Sequence, residues 1–461
     1  MSRRASRSPL PDLALESVSD LRRSVRGEVV TPTGRGYDAA RLTFNALVDR
    51  RPAAIVRCAR ADDVATALDF ARKNALAVAV RGGGHNPAGH AVCDGGIVID
   101  LSPLNQVEVD ARARLARAGG GTNWKQFDAA GQAHGLVTPG GVVGTTGVAG
   151  LTLGGGIGHL LGRFGLTCDN LVGAEVVTAD GRMVAADAET NPDLFWGLRG
   201  GGGNFGVVTT FTFRLHPLST LLGGLITYRL DAARDVLRRF AETMASAPDH
   251  LTCQAQLTGD ENGVPVLQVA VCYTGADEDP SELRRLRTAP GVISDAVDRI
   301  GYLDLQGVFD PPFGRSRHYW KGHFLSGLPG ELIDELVDRF LALGRVPGSL
   351  LIESIHGAAA RAPLDSMAVH FRDARFNVSA QAVWERPEDD AAEIAWARET
   401  AAALEPYSPA GGGYVNYMQQ DEPLDRVRAA FGPEKFERLR ALKRKFDPEN
   451  VFALNQNIPP A

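Results

Sequence analysis

The chain has 461 residues, too many for one ordinary core, and its 44% hydrophobic and 23% charged residues are those of a soluble globular protein of two or three domains. A net charge of -6 speaks against a nucleic-acid binder, and five cysteines without a CxxC spacing speak against a disulfide framework or zinc site. No apolar run reaches the ~18 residues of a membrane span. Met1–Ser8 carries several arginines, but Pro9–Arg22 is mixed and acidic rather than an apolar leader core, so the cytoplasm is the expected compartment.

In chain order, residues 1–45 read as an N-terminal segment with one short helix, Leu13–Val25. Residues 46–222 form a first domain. It opens with a strand (Ala54–Cys58), a helix (Ala61–Asn74, apolar at Val64, Leu68 and Ala71) and a strand (Ala77–Arg81) that runs into glycines. A strand at Ile97–Leu101, a hairpin of Gln106–Asp110 with Leu115–Ala118, and a helix Trp124–His134 follow. Leu171–Thr178 and Arg182–Ala186 pair around the Asp180–Gly181 turn, then come a helix Pro192–Arg199 and a strand Gly206–Leu215. Residues 223–410 change character, with amphipathic helices (Ala232–Ala245, Pro280–Arg287, Gly330–Leu343, Ala391–Leu404) between strands (Gly223–Tyr228, Thr252–Leu257, Val266–Tyr273, Ser349–His356, Phe376–Trp384). That order predicts an α+β layer, one sheet with helices on one face. Residues 411–461 close the chain with a basic helix from Pro433 that ends at Asp447–Pro448.

The 52 glycines are clustered rather than periodic. The first cluster, Arg81-Gly-Gly-Gly-His85-Asn-Pro-Ala-Gly89-His90, follows a strand and suits a backbone nest for a pyrophosphate. His85 and His90 lack acidic or cysteine neighbours at ligand spacing, so no metal is expected. The second, Gly147–Gly158, is too glycine-rich for an ordinary element. It implies a backbone passing close to something flat or charged, with backbone-on-backbone packing as the alternative. The third, Gly201-Gly-Gly203-Asn-Phe-Gly206, matches G-x-G-x-x-G but runs into a strand-like Val207–Arg214. A nicotinamide-binding Rossmann turn needs a helix there and is excluded.

Taken in order, these segments resemble the FAD-linked oxidases of the vanillyl-alcohol oxidase / para-cresol methylhydroxylase superfamily, in the berberine-bridge-enzyme-like branch. They are also similar to the 6-hydroxynicotine oxidase type. The matching text is RGGGHNPAGH (81–90), GGIVIDLSPLN (95–105), TGVAGLTLGGGIG (146–158), GLTCDNL (165–171), DLFWGLRGGGGNFGVVTTF (193–211), YVNY (414–417) and KFDPENVFALNQNI (445–458). The resemblance implies a two-part FAD-binding domain of the PCMH type and an α+β substrate domain, an antiparallel sheet covered by helices. It implies FAD held by Arg81, Gly82, Gly83, Gly84, His85, Asn86, Gly89 and His90, with His85 bonded to the flavin 8α-methyl. Further contacts implied are Thr146, Gly147, Gly150, Leu153, Gly154, Gly155, Gly156, Gly158, Asp169, Asn170, Val207, Val208, Tyr414 and Asn416. The position of a second, cysteinyl link is occupied by Val143, so one covalent bond is expected, and Thr146 stands at the family's oxygen gate.

The activity so implied is oxidation of a small alcohol, sugar or secondary metabolite by hydride transfer to FAD, with O2 as acceptor giving H2O2. An amine oxidase of the hydroxynicotine type or a dehydrogenase is the alternative. The catalytic base implied is Tyr417. A tyrosine, with a usual pKa of ~10, needs a positive or donor neighbour to serve, and Lys321, Arg372 and His370 are candidates. Should Tyr417 not be the base, His370 and Glu353 come next.

Overall fold

The structure is a computed structural model that describes residues 15–310, 315–342, 346, 348–409 and 411–461. The arginine-bearing start at Met1–Ser8, the first two residues of the expected Leu13–Val25 helix and the last of Gly330–Leu343 lie outside those residues. The first helix is Leu15–Ser24.

The first domain holds two sheets. One runs in the order Glu28–Val30, Ala54–Arg57, Ile97–Asp100, Val78–Arg81, antiparallel at the first pair and parallel at the other two. Its central strands are apolar and buried over Ala54–Val56 and Ile97–Ile99, as a sheet covered on both faces requires. Glu28–Val30 thus makes the stretch before residue 46 part of this sheet. A short strand of three residues, it carried too little pattern to be read alone. The second sheet is antiparallel, ordered Val107–Asp110, Leu115–Gly119, Val207–Arg214, Leu171–Val177, Met183–Asp187. The third glycine cluster does lead into a strand.

The second domain is built on an eight-stranded antiparallel sheet, in the order Val292–Asp295, Leu221–Arg229, Pro265–Tyr273, Leu251–Gly259, Gly348–Ser354, Phe376–Trp384, Arg317–Leu325, with Asp298–Ile300 also on Leu221–Arg229. Helices Ala233–Ala245, Gly330–Leu341 and Asp390–Leu404 bury their apolar stripes on one face, against Cys253, Ala255, Val269, Ile352 and Val378. Alternation turns Gln254, Leu351, Glu353, Asn377, Gln381 and Trp320 to the other face. The edge strand Arg317–Leu325 was not expected. Lys321-Gly322-His323 breaks its apolar pattern, and its outer edge is covered by Arg426, which donates to the Gly322 carbonyl at 2.7 Å.

The chain then returns to the first domain through a turn at 414–417, a helix Leu424–Phe431 and a helix Pro433–Phe446. The Lys443 ammonium donates to the carbonyls of Asn204 (2.9 Å) and Phe452 (3.0 Å) and to Asp447 Oδ2 (2.6 Å). Both ionic side chains are 0% exposed. Asp447 in turn accepts from the Val451 and Phe452 amides. Removing one partner strands a buried charge, so Lys443→Met is expected to cost about 3–5 kcal/mol in chemical denaturation. The pairing is sound if Lys443→Met/Asp447→Leu recovers much of that loss, and unsound if the double variant is as unstable as the single.

Candidate active site

The parallel pairing of Val78–Arg81 with Ile97–Asp100 delivers the first glycine loop to the seam between the two sheets of the first domain. There Gly83 meets Gly147 back to back: a Cβ on Gly83 would lie 2.5 Å from the Gly147 Cα, and one on Gly147 2.5 Å from the Gly83 nitrogen. Gly84 has φ +67°, which L side chains avoid. Beside this contact lies a cavity of about 300 Å³. Gly82, Gly83, Gly84, His85, Asn86, His90, Thr146, Gly147, Gly150, Leu153, Gly154, Val207, Val208 and Asn416 all line it, together with Tyr417.

Eight of the expected cofactor residues do not line it, and each has another role. The Arg81 guanidinium donates to the Ala40 carbonyl and lies 3.9 Å from Asp100. Gly89 packs on Val48. The Gly155 and Gly156 backbones take φ +114° and +89°, and Gly158 abuts the Gly140 carbonyl. Asp169 pairs with Arg372 and caps the Leu166 amide, while Asn170 Oδ1 accepts from His216 Nε2 at 2.7 Å and its Nδ2 donates to the Phe164 and Leu166 carbonyls. The Tyr414 hydroxyl accepts from the amides of Gly156 (3.0 Å) and Ile157 (3.2 Å) and from Asn416 Nδ2 (2.9 Å). The second cluster is therefore largely backbone packed on protein, as at Gly154, whose Cβ would strike Asn416 Oδ1 at 2.1 Å. Gly150 differs: it is exposed, lines the cavity and has nothing within 4 Å of a Cβ.

Other lining residues were not singled out beforehand: Gly201–Asn204 of the third cluster, Trp320, Leu351 and Gln381 of the large sheet, and Asn455 and Gln456 of the tail. The third cluster was weighed as a Rossmann turn and as part of the 193–211 motif without its glycines being assigned to the cofactor, and Trp320 sits on the unread edge strand. Asn455 and Gln456 fall inside the 445–458 motif, which was the available signal.

Among the described residues, no Asp, Glu, Lys or Arg lines the cavity. The His85 ring stacks on Phe44 (centroids 4.3 Å apart, 4° between planes), with Nε2 3.4 Å from Thr145 Oγ1. Burial pushes His85 and His90 down to about 4, so both are neutral, and neither His90 nitrogen has a partner. At the sheet end Trp320 and Tyr417 meet edge to face, with centroids 5.4 Å apart. The Tyr417 hydroxyl donates to Glu353 Oε1 at 3.2 Å, and Asn377 Nδ2 donates to Glu353 Oε2 at 2.6 Å.

This environment overturns the expectation of a base made by a positive neighbour. Lys321 is committed to Glu422 at 2.7 Å, Arg372 to Asp169, and the His370 ring packs against Gly432. Burial and the Glu353 charge instead push the Tyr417 hydroxyl well up. Burial also raises the Glu353 carboxyl, to about 7, although its hydrogen bonds to Asn377 and Tyr417 oppose the rise.

Comparison with known proteins agrees with this layout. Residues 52–187 match the FAD binding domain family and residues 413–459 the berberine and berberine-like family. The chain is 33% identical to (R)-6-hydroxynicotine oxidase of Paenarthrobacter nicotinovorans over 95% of this chain and 97% of that protein. It is 31% identical to the FAD-linked oxidoreductase YgaK of Bacillus subtilis, over 94% and 97%. The crystal structure of 6-hydroxy-D-nicotine oxidase from Arthrobacter nicotinovorans superposes with a TM-score of 0.86 at 32% identity, covering 95% of this chain and 99% of that one. Physcomitrella patens BBE-like 1 shares the fold, with a TM-score of 0.88 at 22% identity over 96% and 99%. The chain belongs to the FAD-linked oxidoreductases, in the berberine-bridge-enzyme-like branch of the vanillyl-alcohol oxidase / para-cresol methylhydroxylase superfamily. It is an FAD-dependent oxidoreductase, and no helix among its described residues is long and apolar enough to cross a membrane.

FAD fits the residues present: the glycine loops leave open backbone at Gly150 and Gly203, where a side chain would fill the cavity, and His90 turns unpartnered nitrogens to its wall. Two alanine substitutions separate packing from cofactor space. Gly158→Ala, whose Cβ would lie 1.9 Å from the Gly140 carbonyl oxygen, is expected to lose about 1–3 kcal/mol of stability. Gly150→Ala is expected to melt like wild type and purify with less flavin per protein in its absorbance spectrum. Full flavin in Gly150→Ala would remove that residue from the cofactor wall.

Proposed function

We propose that the protein is an oxidase that holds FAD covalently through His85 and oxidises a small uncharged alcohol or amine, the proton leaving by way of Tyr417 to Glu353. The observation that carries this reading is the Tyr417–Glu353 hydrogen bond, whose hydroxyl lines the cavity while the carboxyl, 0% exposed, lies behind it. When bound, FAD supplies the two-electron acceptor for a hydride leaving a C–H next to oxygen or nitrogen.

His85 is suited to covalent attachment because its imidazole is neutral and held flat against Phe44. The single link is supported by Val143 in the cavity wall and by Cys168, which is 0% exposed and donates a hydrogen bond to Met367 Sδ at 3.5 Å. Asn86, His90, Gly147, Gly150, Gly203, Val207 and Val208 would hold the remainder of the cofactor, and Thr146, a small cavity residue, leaves room for O2.

Tyr417 is too costly to ionise alone, so its hydroxyl acts as a relay. It accepts the substrate proton while passing its own to the Glu353 carboxylate, whose affinity near neutrality matches that task. The wall around it is mostly apolar: Leu351, Val143 and the Trp320 ring, whose Nε1–H is the one unpartnered donor of these side chains, with Gln381 donating to Ser379 Oγ at 3.2 Å. A sugar would leave several hydroxyls unpaired there, at about 1–3 kcal/mol each, whereas a flat neutral ring would pack on Trp320. The similarity to a hydroxynicotine oxidase favours the amine form of this reading, bound as the free base.

Two measurements test the proposal. Denatured wild-type protein should keep its flavin fluorescence in a gel and His85→Ala should not; flavin that washes out of denatured wild type would refute the link. With a substrate found by peroxide-coupled screening of neutral aryl alcohols, cyclic amines and sugars, anaerobic flavin reduction should quicken as pH rises through about 7, because Glu353 must be ionised to accept the proton. Tyr417→Phe and Glu353→Gln should each slow it by about 10²–10⁴-fold, and together by little more, since they cut one relay. A Tyr417→Phe variant within about threefold of wild type would rule the relay out.

A further inference from the structure

Three neighbouring strands of the large sheet place Gln254, Glu353 and Asn377 side by side. Gln254 is in register with Glu353 and Glu353 with Asn377, so all three point to the face that covers the cavity. They are 1%, 0% and 1% exposed, respectively. The row is asymmetric. Neither polar atom of the Gln254 side chain has a partner, whereas Asn377 Nδ2 donates to Glu353 Oε2 at 2.6 Å. The Asn377 carbonyl oxygen is unpartnered.

The surroundings leave few rivals for control of that carboxyl. From the returning segment two hydroxyls face it: Tyr417, bonded at 3.2 Å, and Tyr414, whose own proton affinity the Glu353 charge helps to raise. From the edge strand, Lys321 reaches the small void that Asn377 and Tyr417 also line, but it is paired with Glu422, as is Arg426. His323 on that strand is bonded to Arg426 and kept neutral by burial. On the loop before Phe376–Trp384, Arg372 is paired with Asp169. Asn377 is thus the only hydrogen-bond donor besides Tyr417 on this carboxylate among the described residues.

We infer that Asn377 is a positioning residue for Glu353, fixing one carboxylate oxygen so that the other faces the Tyr417 hydroxyl and setting the pH at which the pair can take a proton. The inference rests on the reading of Glu353 as the proton acceptor, but its geometry is independent of any substrate. A donor to the charged form favours ionisation, and a buried carboxylate deprived of one holds its proton more tightly. Without Asn377 the acceptor would be protonated at neutral pH and the carboxyl free to rotate away from Tyr417.

The test reads the carboxyl directly. The FAD-loaded protein is titrated between about pH 5 and pH 10 by infrared difference spectroscopy, following the protonated-carboxyl band that Glu353→Gln abolishes. The wild-type band should vanish with a midpoint near 7. In Asn377→Leu the midpoint should rise by about one pH unit or more. Asn377→Ser, too short to reach the carboxylate, should do the same and serves if the leucine variant does not fold. A wild-type midpoint in a folded Asn377 variant would overturn the inference while leaving the relay untouched. Wild-type flavin reduction by Glu353→Gln would instead overturn the relay, and with it the function given to Asn377.

Discussion

The structure turns on a contact where no side chain fits. Gly83 and Gly147 come from loops 64 residues apart in the chain and pack backbone to backbone, so neither has room for a Cβ. That contact ties the parallel sheet to the rest of the first domain. It sets His85 beside Thr145 on one side and leaves the open glycines, Gly150 and Gly203, on the cavity. Glycine elsewhere in the same clusters is used for the same purpose: Gly154 admits Asn416 and Gly158 admits the Gly140 carbonyl. Each such position sacrifices local propensity for closeness, which only a packed tertiary arrangement can reward.

Three anchors hold the cavity wall in place. Tyr414 pins the second glycine cluster by accepting two of its amides, Asn416 ties that tyrosine to Leu151, and Lys443 binds the third glycine cluster to the tail. Because all three reach across the chain by hydrogen bonds to backbone atoms, the wall can be rigid without presenting charge. An uncharged wall has chemical consequences: it keeps His85 and His90 neutral, and it leaves Glu353, behind Tyr417, as the ionisable group poised near neutrality at this end.

The large sheet roofs the cavity and keeps a different character on each face. One face is a conventional core under three helices. The other carries polar side chains, some paired among themselves, as Gln256 is with Gln268 at 2.9 Å, and some, such as Gln254, buried without a partner. Glu353 is the member of that face whose partners, Asn377 and Tyr417, link the interior of the sheet to the cavity.

Local pattern determined much of this protein. Strand alternation, helix stripes and turn residues gave most of the longer strands and helices of both domains within a few residues, because those signals depend on neighbours in sequence, while short elements such as Glu28–Val30, Val292–Asp295 and Tyr302–Gln306 carried too little pattern to be read. The glycine clusters and His85 were legible as text with a shared purpose, and the fold brings members of all three clusters to one cavity; Val207–Arg214 following G-x-G-x-x-G was legible as a strand, not the helix of a Rossmann turn. Tertiary structure alone decided the rest. It assigned Asp169 and Asn170 to Arg372 and His216, turned Arg81 and Tyr414 to structural hydrogen bonds, and added the edge strand Arg317–Leu325 with Trp320. Most of all it brought Glu353 within reach of Tyr417, 64 residues later in the chain. A side chain's proton affinity is set by what burial places around it, and no spacing along the chain encodes which strands will be neighbours.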